Sequence, residues 1–300
     1  MSTKAASDLR LSSPRRSPLW PFVAIWAFAR KKPLGAIGLS IVVVATFVAV
    51  FGEQLAPHDP AQPRLDRVMQ APNNTNWFGT DHLGRDMFSR TLVGTRVSLY
   101  VGVVTMLFAT FAGTVLGISS AYIGGRYDLI VQRFVDGIVA VPQLLLAMTL
   151  VAALNVGMEN VIIALAIVTT PRIARIVRSA ALGIMAMPYI DASRAMGTTG
   201  IRIMARHLAP NTFAPLLVVA SASVGAIITS ESSLSFLGLG VPFKTISWGG
   251  LLGGETRALF TAAPWMAIGP GVALSMVVFG NAIFADALRD MLDPKLRGRR

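Results

Sequence analysis

The stretch MPYIDASRAMGTTGIRIMARHLAPN, residues 187–211, carries Asp191, Arg194, Arg202 and Arg206 between two long apolar segments. Four charges near a bilayer midplane would cost about 2.5–3.5 kcal/mol each, roughly 10 kcal/mol or more together, so this segment must lie in water or against another protein. Its internal order predicts two short helices. Pro188 suits the first turn of one, and Gly197 stands where a helix C-cap takes a positive φ. A second helix is expected to start near Thr199 and to end before Pro210. Along it, Ile201, Met204, Ala205 and Leu208 follow the i, i+3, i+4, i+7 rule, with Arg202 and Arg206 on another face. So short a helix is marginal alone in water. Its apolar stripe needs a surface, which is either the protein's own bundle or a soluble partner.

The flanking sequence sets the fold class. Of 300 residues, 53% are hydrophobic and only 14% charged, and several apolar runs reach the roughly 18–20 residues that span a bilayer. The chain reads as an all-α polytopic membrane protein with six transmembrane helices. The first covers residues 34–51 and the others about 98–122, 129–156, 161–176, 211–239 and 264–287, with a bend expected at Pro142. Residues 1–33 form an N-terminal tail whose apolar run, Leu19 to Ala29, is read as an interfacial helix, since it ends in Arg30-Lys31-Lys32 and not in a small-residue cleavage site. Residues 52–97 form a long external loop and 240–263 a shorter, Gly-rich one. Residues 98–290 make a five-helix core containing the inner loop 182–210, and 291–300 a C-terminal tail. Gly113 and Gly117 form a GxxxG pair that permits close helix contact.

Charge supplies orientation. Twenty Lys and Arg fall on the side of the two tails and the 182–210 loop, against seven on the other, while acidic residues divide seven to eight. The positive-inside rule then places both termini in the cytoplasm. The net charge of +12 is thus a topology signal and not a nucleic-acid surface. With no cysteine, disulfides, zinc–thiolate sites and thiol nucleophiles are excluded.

Few residues invite chemistry. GLGVPFKT, residues 238–245, imitates a phosphate loop, but Phe243 occupies the place of the glycine that must precede the lysine. Asp81, His82 and Asp86 lack a fourth ligand nearby, so no metal site and no cofactor are expected. Asp81, Arg85, Asp86 and Arg90 read instead as a charge network ordering the loop before the second span. Glu231 lies within the fifth span near its outer end. An intramembrane acid faces a pathway or a partner, or else hydrogen-bonds Ser or backbone of a neighbouring helix.

The hairpin resembles the EAA motif of binding-protein-dependent ABC importers, in which EAA is followed by three residues, Gly, nine residues and I-x-L-P. Here Asp191-Ala192-Ser193 precedes Gly197 at that spacing, and His207-Leu208-Ala209-Pro210 closes it. Asp191, Ser193, His207 and Ala209 depart from the motif's residue types. WFGTDHLGRDMFSRTLVGTRVSL (77–99), ESSLSFLGLGVP (231–242), SWGGLLGG (247–254) and ADALRDMLDPKLRGRR (285–300) are similar to one branch, the C-type permease of dipeptide, oligopeptide and nickel importers. The resemblance implies a non-catalytic permease subunit in a bacterial inner membrane. Its implied partners are a second permease subunit, two cytosolic ATPases, an external solute-binding protein and membrane lipid. It further implies a role for Asp191, Ala192, Ser193, Gly197, Ile201, Met204, Leu208 and Pro210 in contact with the ATPase. Peptide is the implied substrate, with nickel or another small solute as the alternative. A stand-alone secondary carrier would show internal repeats, and none is visible between residues 34–156 and 161–287.

Overall fold

In a computed structural model the described part of the chain comprises residue 30, residues 32–242 and residues 244–292. The expected interfacial helix and the last eight residues of the C-terminal tail lie outside it. Helix α1 spans Pro33–Leu55, α2 Met87–Ile123, α3 Gly125–Ala140, α4 Gln143–Leu154 and α5 Met158–Met185. The hairpin holds α6, Pro188–Ala195, and α7, Gly200–Ile203. A single wide turn, Met204–Leu208, joins α7 to α8, Ala209–Phe236. Two one-turn helices, α9 (Trp248–Leu252) and α10 (Gly254–Ala258), precede α11, Trp265–Leu292. No strand occurs among the described residues, only an isolated bridge between Thr80 and Asp86.

Five helices are long and apolar enough to cross a membrane, and the α3–α4 pair, bent by 95°, passes the same test as a unit. Connectivity fixes what the bent pair does. The end of α1 meets the start of α2, where a Cβ on Gly52 would sit 2.9 Å from the Leu92 carbonyl oxygen. The end of α2 lies beside the hairpin, and α5 runs into that hairpin from the opposite end. The α3–α4 pair therefore carries the chain from one end of the bundle to the other, giving six crossings. The start of α1 and the end of α11 also share an end, since Lys32 Nζ lies 2.6 Å from Asp290 Oδ2.

Three features sharpen or change the expected boundaries. The helix that carries the second span begins at Met87, ahead of the span expected from residue 98, because Asp86 caps it and accepts a hydrogen bond from the Ser89 N–H; the hydroxyl-rich first turns hide this part of the helix from an apolar scan. At Pro142 the bend is a break. Val141 is forced to an extended conformation (φ −90°, ψ 133°) by the proline that follows, so the helix stops and restarts in a new direction. The hairpin's second helix does not end before Pro210. It runs on as part of α8, because the wide turn bonds the Ala209 N–H to the Met204 carbonyl, five residues back. That spacing absorbs the proline, which has no N–H to give and would crowd a regular helix.

The bundle is organised on α2 and α5, whose contact is the most extensive in the molecule. The GxxxG pair lies in that contact. A Cβ on Gly113 would come 2.7 Å from Ile173 Cγ2, and one on Gly117 would come 2.6 Å from the Ala174 carbonyl oxygen. A main core cluster joins Val101, Met106 and Ala109 of α2, Val151 of α4, Leu165 and Ile173 of α5, and Ile227 and Leu234 of α8. Around it, α1 packs on α2 and α11 while turning Val43, Val44, Phe47 and Val50 outward, as a lipid-facing helix does.

Because the Gly117 Cβ would meet backbone, Gly117→Leu is expected to lower stability by about 1–3 kcal/mol or more through overpacking. Gly137, with nothing within 4 Å of its Cβ position, should accept the same change. Thermal midpoints of the two detergent-solubilised variants against the native protein check this contrast.

Candidate functional site

Local bonding dictates the hairpin's shape. After α6, Gly197 sits at φ +76°. Its N–H donates to the Arg194 carbonyl and the Thr198 N–H to the Ser193 carbonyl, at 2.9 and 3.1 Å. This pair of bonds is the Schellman closure, which needs a left-handed residue at Gly197. Nothing lies within 4 Å of a Cβ built there, so the requirement is conformational and not a matter of space. On α6 the Asp191 carboxylate faces the Arg194 guanidinium at 3.4 Å, and Ser193 Oγ donates back to the Tyr189 carbonyl at 2.8 Å.

The hairpin is seated on the bundle by residues the periodic stripe only partly names. Ile190, Ile203 and Leu208 are fully buried, and Met204 packs at the edge of the core. Tyr122, near the end of α2, lies under the turn. The Arg194 guanidinium stands 5.7 Å from its ring centroid, and a Cβ on Gly200 would touch the ring at 2.7 Å. The expected stripe assumed 3.6 residues per turn throughout. The wide turn inserts an extra residue, so Ile203 and Leu208, five apart, share the inward face. Ile201 is left 77% exposed.

The outward face is apolar for a surface that cannot sit in the bilayer. Met196 is 78% exposed, and Met187 and Tyr189 are also exposed. Asp191, Ala192, Gly197 and Pro210 lie exposed with them, whereas Ser193 is buried. The structure thus keeps the predicted site residues on one element but divides them: Ser193, Met204 and Leu208 inward or at the edge, the remainder outward.

Behind the hairpin a polar clamp fixes the adjoining helix ends. Asp128 of α3 accepts from Arg178 Nε of α5 at 2.7 Å and from the Ser120 hydroxyl of α2. Gln132 Nε2 donates to Ser120 Oγ at 3.0 Å. The pairing joins residues about fifty apart, and sequence reasoning passed over it because each member looks like an ordinary interfacial charge.

Glu231 is placed at the other end of the bundle, fully buried. It accepts from Ser235 Oγ at 2.7 Å, Ser232 Oγ at 3.3 Å and Ser98 Oγ at 3.4 Å. Ser98 Oγ in turn accepts from the Trp248 N–H at 3.2 Å, and the Trp248 indole donates to the Thr91 carbonyl at 3.0 Å. The segment read as a loose Gly-rich loop therefore folds back into the bundle. Trp248 is its anchor, and Gly249 lies against Ser232, where a Cβ would come within 2.5 Å of that residue's Cα. A tryptophan with its N–H to satisfy was the available signal.

In the loop between α1 and α2 Asp81 accepts from Arg85 Nε at 2.7 Å and lies 3.8 Å from Arg90 Nε. Asp86 accepts from Asn76 Nδ2 at 2.8 Å and from Ser89. Each carboxylate is thus engaged in ordering the loop and the start of α2. Among the described residues no group of three or more His, Asp or Glu could hold a metal ion.

Six crossings, a polar seam at one end and, at the other, a seated helical hairpin exposing apolar side chains define a polytopic membrane protein. Comparison with known proteins narrows the class. Residues 113–298 match the family described as binding-protein-dependent transport system inner membrane component. Residues 21–74 match the N-terminal transmembrane domain of oligopeptide transport permease C. A dipeptide transport system permease protein of Alkalihalophilus pseudofirmus is 35% identical over 99% of this chain and 100% of its own length. Glutathione transport system permease proteins of Pectobacterium atrosepticum and Escherichia coli are each 37% identical, covering 92% and 93% of this chain and 92% of their own. The chain belongs to the family of binding-protein-dependent transport system inner membrane components. It is a transport permease and not an enzyme; in these systems the ATPase is a separate subunit.

Ser98→Ala should strand the Trp248 N–H and leave Glu231 Oε2 with the Ser232 hydroxyl alone, at a cost of about 1–3 kcal/mol for a buried polar group left unpaired. The expected readout is a lowered thermal midpoint together with new labelling of a cysteine placed at Leu251, which is buried in the native fold.

Proposed function

We propose that the chain forms half of the translocation pathway of a peptide importer, as one of two non-identical permease subunits worked by two cytosolic ATPases and fed by an external solute-binding protein. Both termini and the hairpin lie in the cytoplasm on this reading. Its supports are the asymmetry of Lys and Arg and the proximity of Lys32 to Asp290 at one end of the bundle. Peptide is favoured over other solutes because relatives aligned along nearly the whole chain carry dipeptide or glutathione in their names.

The observation that carries the coupling role is the hairpin's outward face. Met196 and Ile201 project from a helix pair whose opposite side is locked into the bundle by Ile190, Ile203 and Leu208. An ATPase gripping that face, with Asp191 offering a carboxylate beside it, would move α8 as nucleotide binding favours one of two packings. Ile201 would pack on the ATPase, whereas Leu208 and Met204 pack on the bundle.

The native chain has no cysteine, so single cysteines at Met196 or Ile201 report cleanly. Each is expected to crosslink to a cysteine-bearing ATPase in membranes, while one at Leu239, at the opposite end of α8, should not. Crosslinks absent from both hairpin positions would refute the docking surface. The left-handed Gly197 gives a graded prediction. Gly197→Asn, which tolerates this conformation, should retain ATP-dependent dipeptide uptake. Gly197→Val, strained by about 1–2 kcal/mol or more, should lose most uptake at unchanged membrane abundance.

A further inference from the structure

The outer half of α8 does not look like a lipid-facing helix. It exposes Ala222, Ala226 and Thr229, with Ser233 half-buried, at intervals of i, i+4, i+7 and i+11. At the corresponding exposed places α1 carries valines and phenylalanines. Hydroxyl-bearing and small side chains on an exposed face suit an aqueous passage.

That face forms one wall of a groove of about 620 Å³ between α8, the one-turn helices and α11, whose lining includes Thr229, Ser233, Phe236, Thr256, Arg257 and Leu274. Thr229 lies seven residues below the outer end of α8 and Leu274 nine below that of α11. At 1.5 Å per residue the groove thus reaches about 10–14 Å into the bundle.

Arg257 heads the groove. Its guanidinium lies 5.5 Å from the Phe236 ring centroid, and among the described residues it has no acidic partner within 4.0 Å. Arg257 also borders the neighbouring cavity, which Glu255 of the same short helix lines with Asp81, Arg85 and Arg90. The stacked ring leaves the guanidinium edge free, and a planar fork of N–H donors matches a carboxylate. Deeper in the groove, Thr229 Oγ1 and Ser233 Oγ donate to their own helix at 2.9 and 2.8 Å. Their lone pairs remain for N–H groups. One end of the groove therefore offers a cation and the α8 wall below it two hydroxyls, set in a lining that is otherwise mostly apolar, with Leu237, Leu252, Phe260 and Ala267 suited to peptide side chains.

We propose that this groove receives the substrate released by the binding protein, Arg257 holding the free carboxylate of a short peptide while the α8 hydroxyls accept from its N–H groups. This rests on the reading of the chain as a peptide importer, and it assigns the permease a selective contact of its own.

The test uses the complete importer, with both permease subunits, the ATPases and the binding protein, reconstituted in proteoliposomes. Uptake of an equimolar mixture of di- and tripeptides is quantified by mass spectrometry with the binding protein saturating. Arg257→Gln is expected to cut uptake about tenfold or more, the loss that follows removal of a charged hydrogen bond, and Arg257→Lys to restore most of it. Affinity for the binding protein and basal ATP hydrolysis should stay at native values. Native uptake by Arg257→Gln overturns the proposal. So does a loss that tracks weakened docking of the binding protein, or a failure to assemble with the second subunit, since either makes Arg257 a protein contact. Absence of peptide uptake by the native complex would instead overturn the peptide reading itself, and this proposal with it.

Discussion

A bilayer core accepts neither bare charge nor unpaired backbone, and that constraint shapes the hairpin, the Trp248 segment and the setting of Glu231. The hairpin carries its charges outside the bundle. The segment around Trp248 enters the bundle at the end opposite the hairpin, where its indole, its N–H and Gly249 find partners on α2 and α8. The buried Glu231 is met by serine hydroxyls from two helices. Where a helix breaks, at Val141 and Pro142, the break is exposed and shares a cavity with Val168 and Arg172 of α5.

Within that frame two kinds of contact divide the labour. Glycine crossings bring α2 against α5 closely enough for dispersion to act over their length. Polar links then fix the ends. The Asp128–Arg178 clamp sits at the hairpin end, and the Glu231–Ser98–Trp248 chain at the opposite one. The bundle is thus tied by polar contacts at both ends.

The sequence disclosed what depends on single residues with narrow physical preferences. Gly197 was legible because only a left-handed residue closes a Schellman turn. The long apolar runs were legible because length and hydropathy are properties of the run alone. What escaped notice depends on residues meeting across the fold or on small departures from regularity. The start of α2 at Met87 is set by a capping aspartate among hydroxyls. The anchoring role of Ile203 requires a five-residue repeat that a 3.6-residue template cannot show. Trp248 was visible within a glycine-rich motif, yet its partner Ser98 lies 150 positions away.

The wide turn at Met204–Leu208 makes the chain from Gly200 to Phe236 one uninterrupted helix of 37 residues, about 55 Å long. A tilt of about 10° around its centre would swing both tips by about 5 Å in opposite senses, so an event at the Gly200 tip need not be relayed through side-chain contacts to be felt at the Phe236 tip. The bulge takes up its extra residue without turning the hairpin about this rod: Ile203 and Leu208 keep a common buried side at a spacing of five, and Ile201 stays on the exposed side.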